Sequence, residues 1–170
     1  DIGLLSDSIN NYEYRASQEK YSSEIQKIIH GEKNIGVLEA GTGLGKSIGY
    51  LFPAIKQSKE RRKCVLISCH TKNLQDQLFY KDLPILSNSL GININAALLK
   101  GRSNYLCKTR LKWLINEKNK ILSTNDIESI LPLIIWLSHT KTSDLSECSG
   151  FWNSRPNKTP SLIKSEKGYC

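Results

Sequence analysis

The chain contains no methionine, not even at its first position. An open reading frame starts with one, so the sequence reads as a processed or excised piece of a longer protein. No apolar run approaches the roughly 18 residues that a bilayer-spanning helix needs, which excludes a helical membrane span. The opening stretch Asp1-Ile-Gly-Leu-Leu-Ser-Asp7 has neither a basic start nor a long apolar centre, so it is not a secretory leader. Acidic residues are scarce: 16 Asp and Glu against 24 Lys and Arg leave a formal net charge of +8. The five cysteines are an odd number, and none forms a C-x-x-C pair. The usual zinc-ligand spacing is therefore missing, and free thiols without a leader point to a reducing, cytoplasmic compartment.

What is present is clustered. Lys56, Lys59, Arg61, Arg62 and Lys63 form one basic group. Lys100, Arg102, Lys108, Arg110, Lys112, Lys118 and Lys120 form another, opposed in that stretch by Glu117 alone. Clustered Lys and Arg are the electrostatic footprint of a polyanion.

The most informative stretch is Glu39-Ala-Gly-Thr-Gly-Leu-Gly-Lys-Ser47. It follows the phosphate-loop pattern G-x-x-x-x-G-K-S/T with alanine in the first place: Ala40, Gly41, Thr42, Gly43 and Leu44, then Gly45, Lys46 and Ser47. A polyphosphate needs backbone N–H groups turned toward it, and the three glycines permit the backbone angles and the close approach. A helix opening near Gly45 adds its N-terminal N–H groups and the positive end of its dipole. Lys46 is then placed for the β- and γ-phosphates of ATP, and the Ser47 hydroxyl for Mg²⁺. The apolar run Ile35-Gly-Val-Leu38 before the loop has the composition of a buried parallel strand.

Residues 1–13 form a polar lead-in. Tyr14-Arg-Ala-Ser-Gln18 opens a helix whose apolar face is Tyr21, Ile25, Ile28 and Ile29, with Ser17 as its expected N-cap and Gly31 as its stop. A Gln18 amide left free at the helix start suits the N7/N6 edge of adenine. The helix after the loop contains Pro53, which is expected to kink or split it. Cys64-Val-Leu-Ile-Ser68 reads as a second strand, and Cys64 and Cys69 as small buried hydrophobes. His70 to Phe79 reads as a loop entering a helix capped by Thr71. Ligands of open α/β sheets bind beyond the carboxyl ends of strands, so Thr71 and Lys72 are candidates for a second phosphate-bearing ligand. A helix from Leu83 to Leu90 and a third strand at Ile94–Leu99 complete the alternation. The expected class is thus α/β with a parallel sheet over 14–100. From 101 to 170 the pattern turns helical and irregular: a basic helix from Cys107, an apolar one from Asp126 broken or kinked at Pro132, then a Ser/Thr/Lys-rich remainder.

Together these motifs resemble the N-terminal part of DinG-like helicases, superfamily 2 DNA helicases related to the XPD group. Tyr14–Gln18 is similar to their adenine-recognition motif, Glu39–Ser47 to their motif I and Ile67–Leu78 to motif Ia. Leu99-Lys-Gly-Arg-Ser-Asn-Tyr-Leu-Cys107 is similar to the segment that carries their first cluster cysteine. The resemblance implies an incomplete RecA-like P-loop motor domain over 14–100, with the start of an iron–sulfur insertion over 101–170. It also implies ATP with Mg²⁺, a base contact by Arg15 and Gln18, 5′-to-3′ movement on single-stranded DNA, and a bacterial cytoplasmic setting in DNA repair. Thr71, Lys72 and Arg102 would touch the DNA backbone. Cys107 would be one ligand of a 4Fe–4S cluster and Cys170 the next, with Cys148 as the rival for that place. A cubane needs about four thiolates, so the cluster is incomplete in this chain. The acidic motif that binds Mg²⁺ and orients water is missing, as is the second motor domain, so the piece alone is expected to bind nucleotide without hydrolysing it usefully. The alternatives are another P-loop NTPase or kinase, and a non-catalytic nucleic-acid-binding remnant.

Overall fold

The computed structural model describes residues 13–152 and 158–168, without the side chains of 118–121, 125 and 129. Contacts divide the chain into two compact units, Asp1–Leu98 and Leu99–Cys170.

In the first unit, α1 (Ala16–His30) is followed by the glycine-rich loop and α2 (Lys46–Arg61). Then come α3 (Lys72–Gln77), a π-helical turn (Leu78–Asp82) and α4 (Leu83–Leu90). Helix α1 begins two residues earlier than a Ser17 cap predicts, with Arg15 in the N-cap position, and stops at Gly31, whose φ of 90° places it in the left-handed region. Helix α1 lies against α2, and the contact is close. A Cβ on Gly49 would sit 2.9 Å from Tyr21 Cδ1, so glycine is required where the two helices meet. Pro53 neither splits nor ends α2, which runs unbroken to Arg61. Leu51 and Ile55 of α2 bury with Leu78 and Leu86, and Ile48, Tyr50, Phe52 and Cys69 pack around them. Full burial of each such leucine or isoleucine is worth about 1.5–3 kcal/mol.

The expected parallel sheet does not form. Among the described residues there is no strand ladder, and the only β-pairings are two isolated antiparallel bridges in the second unit, Tyr105 with Asp144 and Leu106 with Lys164. The three apolar runs are instead exposed: Ile35 is 83% accessible, Val37 95%, Leu66 91% and Leu99 79%. A parallel strand must pair with distant chain on its edges and be covered on both faces. Apolar composition supplies the side chains for that and none of the partners. Helices close their hydrogen bonds within four residues, and they are what this chain builds. Cys64 belongs to one of these open runs and is exposed, where burial was expected.

The second unit opens with a 3₁₀ turn (Arg102–Asn104), followed by α5 (Lys108–Ile121) and α6 (Thr124–Leu137). A second 3₁₀ turn (Leu145–Glu147) and the short helices α7 (Ser149–Trp152) and α8 (Thr159–Ile163) follow. Its core gathers Leu106, Leu111, Leu114, Leu122, Ile130, Leu133, Leu145, Cys148, Phe151 and Ile163. Helix α6 starts with a reciprocal capping box: the Ser123 hydroxyl accepts from the Asp126 N–H, and the Asp126 carboxylate accepts from the Ser123 N–H at 3.0 Å. Pro132 lies within α6 without interrupting it. Lys100 and Asp144 form an ion pair at 2.9 Å with side chains only 4% and 6% exposed. Among the described residues, no helix is long and apolar enough to cross a membrane.

Candidate nucleotide-binding loop

The loop is shaped by two left-handed glycines, Gly43 and Gly45, each with φ of 80°. Gly45 is also the N-cap of α2. A side chain there meets two obstacles: the backbone angle, and the Gln18 amide, against which a Cβ would collide. The first turn of α2 holds no acidic residue, so the positive end of the helix dipole stands uncompensated beside the loop.

Three side chains hold the loop by its carbonyls. The Lys46 ammonium donates to Ala40 O at 2.9 Å and to Gly41 O at 2.8 Å. The Arg15 guanidinium donates to Gly43 O and pairs with Glu13 at 3.1 Å. Gln18, buried in α1, donates from Nε2 to Gly45 O at 2.9 Å. A trans peptide carries its C=O and the next N–H on opposite sides. Fixing the Gly43 and Gly45 carbonyls toward α1 therefore turns the Leu44 and Lys46 N–H groups away from it. The Gln18 amide expected to be free is thus spent on the loop, and Arg15 is engaged in the same way. Thr42 is exposed at the loop tip, and Leu44 is half-buried.

Ser47, in the first turn of α2, hydrogen-bonds to the hydroxyl of Tyr50, one turn on. Burial, with smaller contributions from nearby Cys69, Asp82 and Tyr21, pushes the Tyr50 hydroxyl up to about 12, against the opposing effect of the Ser47 bond. Tyr50 is thus a neutral partner for Ser47 throughout the physiological range. The sequence reading missed this residue, although the three-residue spacing on a helix was there to find it.

Thr71 caps α3, its hydroxyl accepting from Leu74 N at 3.3 Å, and Lys72 is exposed in the first turn. Arg102 is exposed in the first 3₁₀ turn of the second unit. Among the described residues, the cysteines do not come together as a ligand set. Cys107 is buried and its sulfur is in a disulfide. Cys148 is a buried free thiol directed at Pro132 O, 3.8 Å away. Cys170 lies outside the described residues. Among the described residues, no three His, Cys, Asp or Glu side chains are grouped to hold a metal, so they do not fit an iron–sulfur cluster.

The loop and its helix can therefore grip an anion: glycine backbone, a helix N-terminus and the Lys46 ammonium converge. Comparison with known proteins bears on which anion. The model of the DEAD/DEAH box helicase family matches residues 17–147. The chain is 40% identical over 147 residues to the ATP-dependent DNA helicase YoaA of Haemophilus influenzae, covering 86% of this chain and 22% of that protein. The Escherichia coli protein of the same name is 37% identical over 146 residues, with 86% and 22% covered. The protein named 3′-5′ exonuclease DinG of Bacillus subtilis is 34% identical over 146 residues, with 84% and 15% covered. The chain thus spans less than a quarter of the length of these relatives.

Proposed function

The chain belongs to the DEAD/DEAH box helicase family, and on that premise we propose that it is the nucleotide-gripping part of an ATP-dependent DNA helicase. The observation that carries this reading is the placement of Lys46. Its ammonium is held at 2.9 and 2.8 Å by two loop carbonyls at the N-terminus of α2. On binding ATP, Lys46 exchanges these neutral acceptors for β- and γ-phosphate oxygens, which add ion–ion attraction to bonds already assisted by its own charge. The loop N–H groups of residues 41–46 donate to the remaining phosphate oxygens. Ser47, oriented by Tyr50, supplies a hydroxyl to Mg²⁺. Arg15 and Gln18 are the base-side residues, and their bonds to Gly43 and Gly45 couple the base site to the phosphate loop. Thr71, Lys72 and Arg102 meet the phosphates of single-stranded DNA, a contact without sequence preference that weakens with salt. The 5′-to-3′ direction rests on the resemblance to DinG-like helicases alone.

That resemblance makes Cys107 and Cys170 cluster ligands, with Cys148 as the rival for the second place, and a 4Fe–4S group would serve there as a structural or redox centre. The Cys107 sulfur is committed to a disulfide and the described donors do not assemble, so no step is assigned to a cluster. Iron and sulfide analysis of anaerobically purified full-length protein measures this directly.

The test of the nucleotide reading is titration of the chain with a fluorescent ATP analogue in the presence of Mg²⁺. Saturable binding that Lys46→Ala weakens at least tenfold is expected. Equal binding by the folded variant sinks the assignment.

A further inference from the structure

Helix α5 presents two chemically different faces. Its inner face is fully used: Leu111 and Leu114 are buried in the core of the second unit. Arg110 is turned to that side as well, its Nε donating to Leu162 O at 2.8 Å and its guanidinium pairing with Glu166 at 2.7 Å. The outer face carries Lys108, Thr109, Lys112, Trp113 and Asn116, all exposed. Trp113 is 52% accessible, and its indole N–H has no hydrogen-bond partner among the described residues. Lys108 and Lys112 lie one above the other at i and i+4, about 6 Å apart along the axis. Neither has a carboxylate within ion-pair distance among the described residues. The first acidic residue of the helix is Glu117, at the edge of this face beyond Trp113.

The other two tryptophans differ. Trp136 packs on the core, and Trp152 donates to Leu145 O and stacks under Lys164, whose Nζ is 5.9 Å from the ring centre. Helix α6 also has an exposed apolar stripe, Ile127, Leu131, Ile134 and Ile135, but it is aliphatic and lacks basic residues. The outer face of α5 thus joins an open indole to two outward ammonium groups that have no carboxylate within ion-pair distance among the described residues.

We propose that Trp113, with Lys108 and Lys112, forms a stacking platform for an unpaired base of single-stranded nucleic acid. The indole takes the face of the base, and the two ammonium groups take successive backbone phosphates. A base stacked inside a duplex cannot offer its face, so the ligand class is single-stranded. This deepens the proposed DNA contact, moving its centre in the second unit from Arg102 to α5.

The experiment is a titration of the whole chain with a dT15 oligonucleotide, read by anisotropy and tryptophan fluorescence, with rU15 and a 15-base-pair duplex as further arms. The native chain is expected to bind dT15 with fluorescence quenching and the duplex more weakly. Trp113→Ala is expected to lose about 5- to 100-fold in affinity and most of the quench, while Trp113→Phe keeps most of the affinity. Lys108→Ala with Lys112→Ala is expected to reduce the slope of log K against log salt by about 1.4, or 0.7 per phosphate. A stronger rU15 than dT15 complex assigns the platform to RNA and keeps it. If the native chain binds dT15 but folded Trp113→Ala and the double lysine variant bind it equally well, the platform is wrong and the DNA reading stands. The same result with altered sedimentation of Trp113→Ala makes the face a protein contact and overturns the proposal. If the native chain binds neither oligonucleotide, the DNA reading falls with it.

Discussion

The two units hold themselves together in different ways. In the first, α2, the π-helical turn and α4 bury a small core, while the apolar runs before the loop and after α2 remain open to solvent. The second is closed by contacts that span most of its length. The Lys100–Asp144 pair is tied further by Ser146, which donates its N–H at 2.9 Å and its hydroxyl at 2.8 Å to the Asp144 carboxylate. The Cys107 N–H reaches Ile163 O at 2.8 Å, and the Ser165 N–H reaches Tyr105 O at 2.9 Å. The anion-gripping loop belongs to the first unit, and few groups shape it. Two glycines, one helix start and two side chains from α1 define it.

This contrast can be broken in graded steps. The largest effect is expected from Lys46→Ala, which should abolish ATPase activity in the full-length protein, a loss of more than about 100-fold, while leaving DNA affinity within a few fold. Parallel loss of both would mean that the variant is misfolded. Next comes Asp144→Ala, which strands a buried ammonium and should destabilise the second unit by about 3–5 kcal/mol. Hydrogen exchange resolved by segment is expected to show faster exchange over 99–168, with protection of α1 and α2 unchanged. Spread of the effect into α1 and α2 would end the claim that the units are held separately.

The same pair sets a pH dependence. Burial pushes the Asp144 carboxyl up, but the Lys100 ammonium and the Ser146 donors outweigh it and hold it below its usual 3.8. Hydrogen bonds from Ser123 and Lys158 hold Asp126 below its usual 3.8 as well. A lowered carboxylate stabilises fully above the unfolded-state value and loses that contribution as pH falls through the folded one. Protection of the second unit should therefore be constant from pH 7 to about 5 and fall below about 4. Asp144→Asn should flatten that fall, and an unchanged acid limb would show that other groups govern it.

Two smaller substitutions sharpen the comparison. Gly45→Ala places a Cβ at a left-handed backbone position against the Gln18 amide, and should weaken nucleotide binding by about 1–3 kcal/mol, roughly 5- to 150-fold, with little change in second-unit stability. Ser123→Ala removes one half of the capping box and should cost α6 about 1 kcal/mol in denaturant unfolding, with nucleotide binding unaltered.

Features that close within a turn of chain were legible from residues alone. Gly31 ends α1 in the left-handed region, Thr71 caps α3 through its hydroxyl, and Tyr21 of the apolar face of α1 meets α2 at Gly49. The two helix ends depend on residues three or four places apart, so there sequence spacing contains the whole interaction. The two prolines do not split their helices. A proline removes one helical hydrogen bond, but packing of Pro53 in the buried face of α2, and of Pro132 against Gly150, keeps both helices continuous.

The sequence by itself determined the glycine-rich loop, the lysine at its end and the helices around it, because backbone permissiveness and helical spacing are local properties. Tertiary structure alone decided that the apolar runs stay unpaired, since a ladder depends on chain that composition does not specify. It also decided that Gln18 and Arg15 clasp the loop, that Ser47 is bonded to Tyr50, and that Lys100 meets Asp144. In most of these pairings the partners are far apart in sequence, and a buried charge or amide declares its partner only once the chain has brought the two together.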